Sequence, residues 1–125
     1  MEIKREKIRY RFEDLEVWKI ALEIIYETYR LVKKFPTEEK FALGDQMRRA
    51  ATSIALNIAE GSGCASKKSF VLYLNRAKGS TLECVAIIKI ALQELFLMES
   101  DAHNMQVLLE KEFFKVSALE KKMKD

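Results

Sequence analysis

Phe70, Leu74, Ala77, Thr81, Cys84, Ile88, Ala91, Leu95 and Met98 follow one another in alternating steps of four and three residues. That register keeps one stripe of an α-helix turned towards partner helices, and it is the pattern of left-handed bundle packing. No segment alternates apolar and polar residues cleanly at period two, so no sheet is expected. The helix is expected over 67–98, with Ser66 as its cap. Its second half also carries Val85, Ile87, Ile90, Leu92, Phe96 and Leu97 on other faces. A helix apolar nearly all round is buried on more than one side, and in a 125-residue chain the extra side is expected to meet another subunit.

Three further helices follow from the same reading. The first is expected from Asp14, as N-cap, to Lys34. It carries two adjacent apolar rows: Leu15, Trp18, Leu22, Ile25, Tyr29 and Val32 in one, Val17, Ala21, Ile24, Leu31 and Phe35 in the other. Trp18 shares a seam with Leu22 and Ile25, so it is expected in the core rather than stacked on nucleic-acid bases. Pro36 breaks the chain, and Thr37 is expected to cap a second helix running to about Glu60. Glu38 and Glu39 suit the positive end of that helix. The fourth helix, capped by Ser100 and Asp101, runs to about Lys122 and carries Met105, Leu108, Leu109, Phe113, Val116, Leu119 and Met123. Short connections between four helices imply an antiparallel up-down-up-down bundle, all-α, occupying residues 12–125 behind a flexible basic arm of residues 1–11.

The second helix has a polar row inside a packable surface. Arg49, Ser53 and Asn57 recur every four residues among alanines and isoleucines, and buried polar groups need partners. Arg48 or Arg49 is expected to pair with Glu60 or Glu83, because the planar guanidinium is preorganised for a carboxylate. The helix is expected to stop at Gly61-Ser62-Gly63, where glycine tolerates a left-handed closing turn. Gly79, inside the third helix, is expected to allow close helix approach, since an interior glycine otherwise costs about 1 kcal/mol relative to alanine.

Charge is uneven although the net value is only +3. Lys4, Arg5, Lys7, Arg9 and Arg11 face only Glu2 and Glu6 in the first eleven residues, and Lys67, Lys68, Arg76 and Lys78 stand in an acid-free stretch from 61 to 82. These nine residues are the candidate contacts to RNA or DNA. Binding through them is expected to be non-specific, since nothing resembles a recognition helix. Two cysteines are too few for a disulfide framework, and the first residues lack the apolar core of a signal peptide, so a cytoplasmic location is expected. The most apolar run, residues 82–98, includes Glu83, Lys89 and Glu94 and is too short and charged to span a membrane.

The residues argue against catalysis. His103 is the single histidine, Cys64 and Cys84 have no local partner for it, and Cys84 lies on an apolar seam. A di-iron bundle needs two Glu-x-x-His repeats and a zinc site needs tightly spaced ligands. Gly61-Ser62-Gly63 is not followed by the lysine of a phosphate loop. No cofactor is expected, and Glu60 and Glu83 read as structural partners rather than as an acid–base pair.

Three segments together carry a resemblance. They are Phe12-Glu13-Asp14-Leu15-Glu16-Val17-Trp18-x-x-Ala21, Gln46-Met47-Arg48-Arg49-Ala50-x-x-Ser53-Ile54-x-x-Asn57-Ile58-Ala59-Glu60-Gly61 and Phe70-x-x-Tyr73-Leu74-x-x-Ala77-x-Gly79-Ser80-x-x-Glu83. The chain resembles the four-helix-bundle proteins of 23S rRNA intervening sequences, whose relatives include the accessory variability protein of diversity-generating retroelements. The resemblance covers about residues 12–99. It implies an antiparallel four-helix protomer, a ring-shaped homopentamer, no enzymatic activity and, on the retroelement side, partnership with a reverse transcriptase and nucleic acid. Ala55 stands where that family carries proline, which implies a straighter second helix. Cys64 stands near a position that is often basic there, which weakens a basic loop.

Overall fold

A computed structural model describes residues 8–125. A 3-10 turn, Arg11–Asp14, leads into α1 (Glu16–Val32). A single helical turn, α2 (Thr37–Lys40), precedes α3 (Leu43–Ser62), and α4 (Lys67–Gln93) and α5 (Glu99–Lys124) complete the chain. There is no strand among the described residues. The long helices α1, α3, α4 and α5 pack each against the next, and α5 returns to α1, closing an antiparallel four-helix bundle around one contiguous core.

Hydrophobic spacing places the core. The first seven members of the α4 stripe, Phe70 to Ala91, are all buried. In α1 the core row is Val17, Ala21, Ile24 and Leu31, continued by Phe35, whereas Leu22 and Tyr29 of the other row are exposed. Trp18 is half-buried and lies edge-on to Phe12 at 4.5 Å, closing the end of the core. Cys84 is a buried core thiol, pushed up to about 12 by loss of solvent.

Where helices end, backbone geometry departs from the expected pattern. Pro36, not Thr37, occupies the N-cap of α2, and the chain bends at Phe41 and Ala42 instead of continuing as one helix. The bend seats Gly44 against α1, where a Cβ would lie 2.7 Å from Val32 Cγ1. At the far end, α3 runs through Gly61 to Ser62 and no glycine has positive φ, so the expected left-handed glycine stop is not used. Ser62 Oγ donates instead to the Ala59 carbonyl at 2.8 Å.

The left-handed turn falls at Leu95, φ 61°, just past α4. Leu95 N–H donates to the Leu92 carbonyl and Phe96 N–H to the Ala91 carbonyl, the paired bonds of a Schellman closure. The turn folds Phe96 back towards Phe35 and buries Leu97. It also removes Leu95 and Met98 from the stripe expected of them: they are 87% and 71% exposed. The cap of α5 shifts similarly. Asp101 lies in the first turn rather than at the cap, and its carboxylate accepts from Met98 N–H at 3.0 Å. That bond, helped by Lys34, holds Asp101 below the usual carboxylate range.

Candidate interaction surfaces

Ser53 is the centre of the polar row. Asn57 Nδ2 donates to the Ser53 carbonyl at 2.8 Å and to its hydroxyl at 3.1 Å. Ser80 Oγ, from α4, donates to the same hydroxyl at 3.0 Å. The row thus stitches α3 to α4 through short side chains. The expected arginine pair is arranged differently. Arg49 is exposed and has no ion pair among the described residues, and Glu60 is exposed as well. Glu83 is exposed and accepts only from Gln46 Nε2, at 3.4 Å. Helical phase explains this: Met47, Ala50, Ala51 and Ile54 point inward, and position 49 falls on the opposite flank. Arg48 is the anchored arginine. It pairs with Asp45, donates to the Lys40 carbonyl at 2.9 Å and lies over the Tyr29 ring. It thereby ties the α2 turn to the start of α3.

The candidate nucleic-acid contacts fare unequally. Lys4, Arg5 and Lys7 lie outside the described residues. Arg9 is bound to Asp14 at 2.6 Å, and the pair holds that carboxyl below its usual range. Lys78 is withdrawn into the bundle, 3.3 Å from Glu120 and over the Phe113 ring. Arg76 is exposed over the Tyr73 ring, and Lys67, Lys68 and Arg11 are exposed. Antiparallel order brings the start of α1, the end of α3, the start of α4 and the end of α5 to one end of the bundle. Lys121, Lys122 and Lys124, missed in the sequence reading, therefore lie at the same end of the bundle as Lys67 and Lys68. Lys68 and Lys124 line one groove of about 540 Å³ with Ser69, Asn75 and Glu120, and Lys124 lies 3.8 Å from the Glu120 carboxylate. Antiparallel pairing of the last two helices was the signal that could have located them.

One interior group was also missed. Glu112 is completely buried in α5 and neither carboxylate oxygen has a hydrogen-bond partner. Burial, with a smaller contribution from the Glu16 charge, pushes it up to about 8. The other buried carboxylates are paired: Glu27 receives both ends of the Arg30 fork, at 2.8 and 3.1 Å, and Glu120 receives Lys78. No group of three or more potential metal ligands occurs among the described residues. No helix among them is long and apolar enough to cross a membrane.

A family model described as 23S rRNA-intervening sequence protein matches residues 13–116. Among solved structures, the fold is similar to a crystal structure of a protein of unknown function from the S23 ribosomal protein family of Bacteroides thetaiotaomicron VPI-5482. The TM-score is 0.77 at 22% identity, covering 84% of this chain and 95% of that one. No curated protein matches the chain.

Proposed function

The chain belongs to the 23S rRNA-intervening sequence protein family, and from that premise we propose that it is a non-enzymatic helical scaffold that works as a homo-oligomer. The observation that carries this reading is apolar surface left over after the bundle core is complete. Tyr26, Leu56, Leu82 and Phe114 are 72%, 59%, 52% and 64% exposed on a chain of 125 residues. Leu82 and Phe114 line one apolar groove between α4 and α5, and contiguous exposed apolar surface of that kind marks an interface. The family resemblance favours five copies in a ring. Sedimentation equilibrium at micromolar concentration is expected to give a multiple of the 14.5 kDa protomer, and a clean protomer mass would overturn the reading.

A second activity, non-specific binding of RNA or DNA, is favoured by the exposed Lys67, Lys68, Lys121 and Lys122 at one end of the bundle. One protomer offers few phosphate contacts, and a ring multiplies them without any new contact type. Each phosphate neutralised steepens the salt dependence by roughly 0.7 to 0.9 in log–log slope. Fluorescence anisotropy with labelled RNA and DNA is expected to show binding at low salt that fades at physiological salt. Absence of binding at low salt would leave the scaffold role alone.

A further inference from the structure

We infer that the bundle end formed by the α1–α3 link and the α4–α5 turn is a docking site for a partner protein, which it takes through a segment of apolar side chains flanked by lysine or arginine.

Antiparallel packing assembles this end from distant parts of the chain. Ser80 bonds to Ser53 and Gln46 to Glu83, so α3 and α4 run side by side in opposite directions and the start of α3 lies level with the end of α4. Lys34 meets Asp101 at 3.2 Å and joins the end of α1 to the start of α5. Phe41, 76% exposed in the bend before α3, therefore stands at the same end as the exposed Leu95 and Met98.

The α4–α5 turn sorts its side chains. Phe96 and Leu97 pack against the core, and Leu95 and Met98 are left in water. Two backbone bonds close the turn and the Asp101 carboxylate holds Met98 N–H, so both outward residues are fixed before any partner arrives. A left-handed closing residue is ordinarily glycine or asparagine, and a leucine there is strained. The fold gains little packing from that side chain. Strain retained together with an exposed apolar side chain points to a contact with another molecule.

Charge selects the partner. Residues 33–42 and 94–101 hold five carboxylates and three lysines, in a chain whose net charge is +3. The Lys34–Asp101 pair leaves Glu38, Glu39, Glu94 and Glu99 against Lys33 and Lys40, and none of these six has an ion pair among the described residues. Apolar residues set among unpaired carboxylates repel an anionic lipid surface and attract a cationic amphipathic segment. Such a segment seats its apolar side chains on Phe41, Leu95 and Met98 while its lysines or arginines meet the carboxylates.

The probe is a fluorescein-labelled amphipathic helical peptide of leucine and lysine, titrated with the full chain and read by anisotropy. The wild type is expected to bind it, and to bind neither a twin with serine for leucine nor a twin with glutamate for lysine. Leu95→Gly relieves the strained turn, so a loss of binding by roughly tenfold or more in that variant cannot come from unfolding. Met98→Ser and the charge reversal E38K/E94K are expected to weaken binding to a similar degree, and Glu23→Lys, in the middle of α1, to leave it unchanged. Circular dichroism melts check that each variant is folded. No binding by the wild type overturns the site, as does binding that Leu95→Gly and E38K/E94K leave intact, or that Glu23→Lys weakens equally. Flotation of the wild type, but not of Leu95→Gly, with vesicles of phosphatidylcholine would assign this end to a lipid surface and overturn the protein partner. A fall in the sedimenting mass of the chain on Leu95→Gly would assign it to a second copy, with the same consequence.

Discussion

A Cβ at Gly61 would lie 2.7 Å from the Cβ of Tyr73, closer than two carbon atoms can approach. It would also meet the Phe70 ring at 2.9 Å. Gly61 is therefore the point where the end of α3 presses on the start of α4. Gly61→Ala is expected to cost about 1–3 kcal/mol, the range of overpacked core sites, because the two helices must move apart. Gly79 has open space where its Cβ would be, so Gly79→Ala is expected to stabilise by about 0.5–1 kcal/mol through helix propensity alone. Thermal melts of the two variants, moving in opposite directions, check both.

Leu95 holds a left-handed conformation that costs a non-glycine residue roughly 1–2 kcal/mol. Its side chain is 87% exposed and contributes little packing in return. Leu95→Gly is expected to raise stability by about 0.5–1 kcal/mol, part of the strain relief being offset by the greater freedom of glycine in the unfolded chain. Chemical denaturation giving a higher midpoint at unchanged slope is the expected result.

These positions show what the amino-acid pattern carries and what it leaves out. The four-three stripe of α4 was legible from Phe70 to Ala91 because burial along one helix follows side-chain direction. It failed at Leu95 because a helix end is settled by backbone geometry, here the turn that buries Leu97. Two apolar rows on α1 were visible, yet their phase towards the core depends on where α3 and α5 sit. Close approach, expected at Gly79, falls at Gly61 for the same reason: it is a property of the partner helix. Ser53 and Asn57 were recognised as a row requiring partners, but Ser80 came from 27 positions away. Glu112 did leave a trace. Met105, Leu109, Glu112 and Val116 continue the four-three register of α5, with a carboxylate on a core position.

Arg48 makes three contacts that a lysine cannot reproduce together: the Asp45 carboxylate, the Lys40 carbonyl and the face of Tyr29. Because Arg48 and Asp45 are only partly exposed, the set is worth more than a surface ion pair. Arg48→Ala is expected to cost about 1–2 kcal/mol, and Arg48→Lys to recover less than half of that, since an ammonium lacks the planar fork. Urea denaturation of the two variants measures the difference.

Glu112 gives the bundle a pH dependence of defined sign. Its ordinary value is near 4.5 and its buried value is about 8. Below pH 4.5 the carboxyl is neutral in both folded and unfolded chains and costs no ionisation. Between these values the unfolded chain releases the proton while the folded chain keeps it, so this group lowers stability progressively as pH rises. Above about pH 8 the folded carboxylate ionises in place and the loss levels off. Glu112→Leu removes both the titration and two unpartnered carboxyl oxygens. Relieving a buried unsatisfied group is worth roughly 1–3 kcal/mol, so the variant is expected to melt higher than wild type at pH 7. Glu112→Gln keeps the shape without the titration. The expected result is that both variants lose the wild-type decline in melting temperature between pH 5 and pH 8. A wild-type chain whose stability rises across that interval, with the same rise in both variants, would show that Glu112 does not keep its proton in the folded bundle.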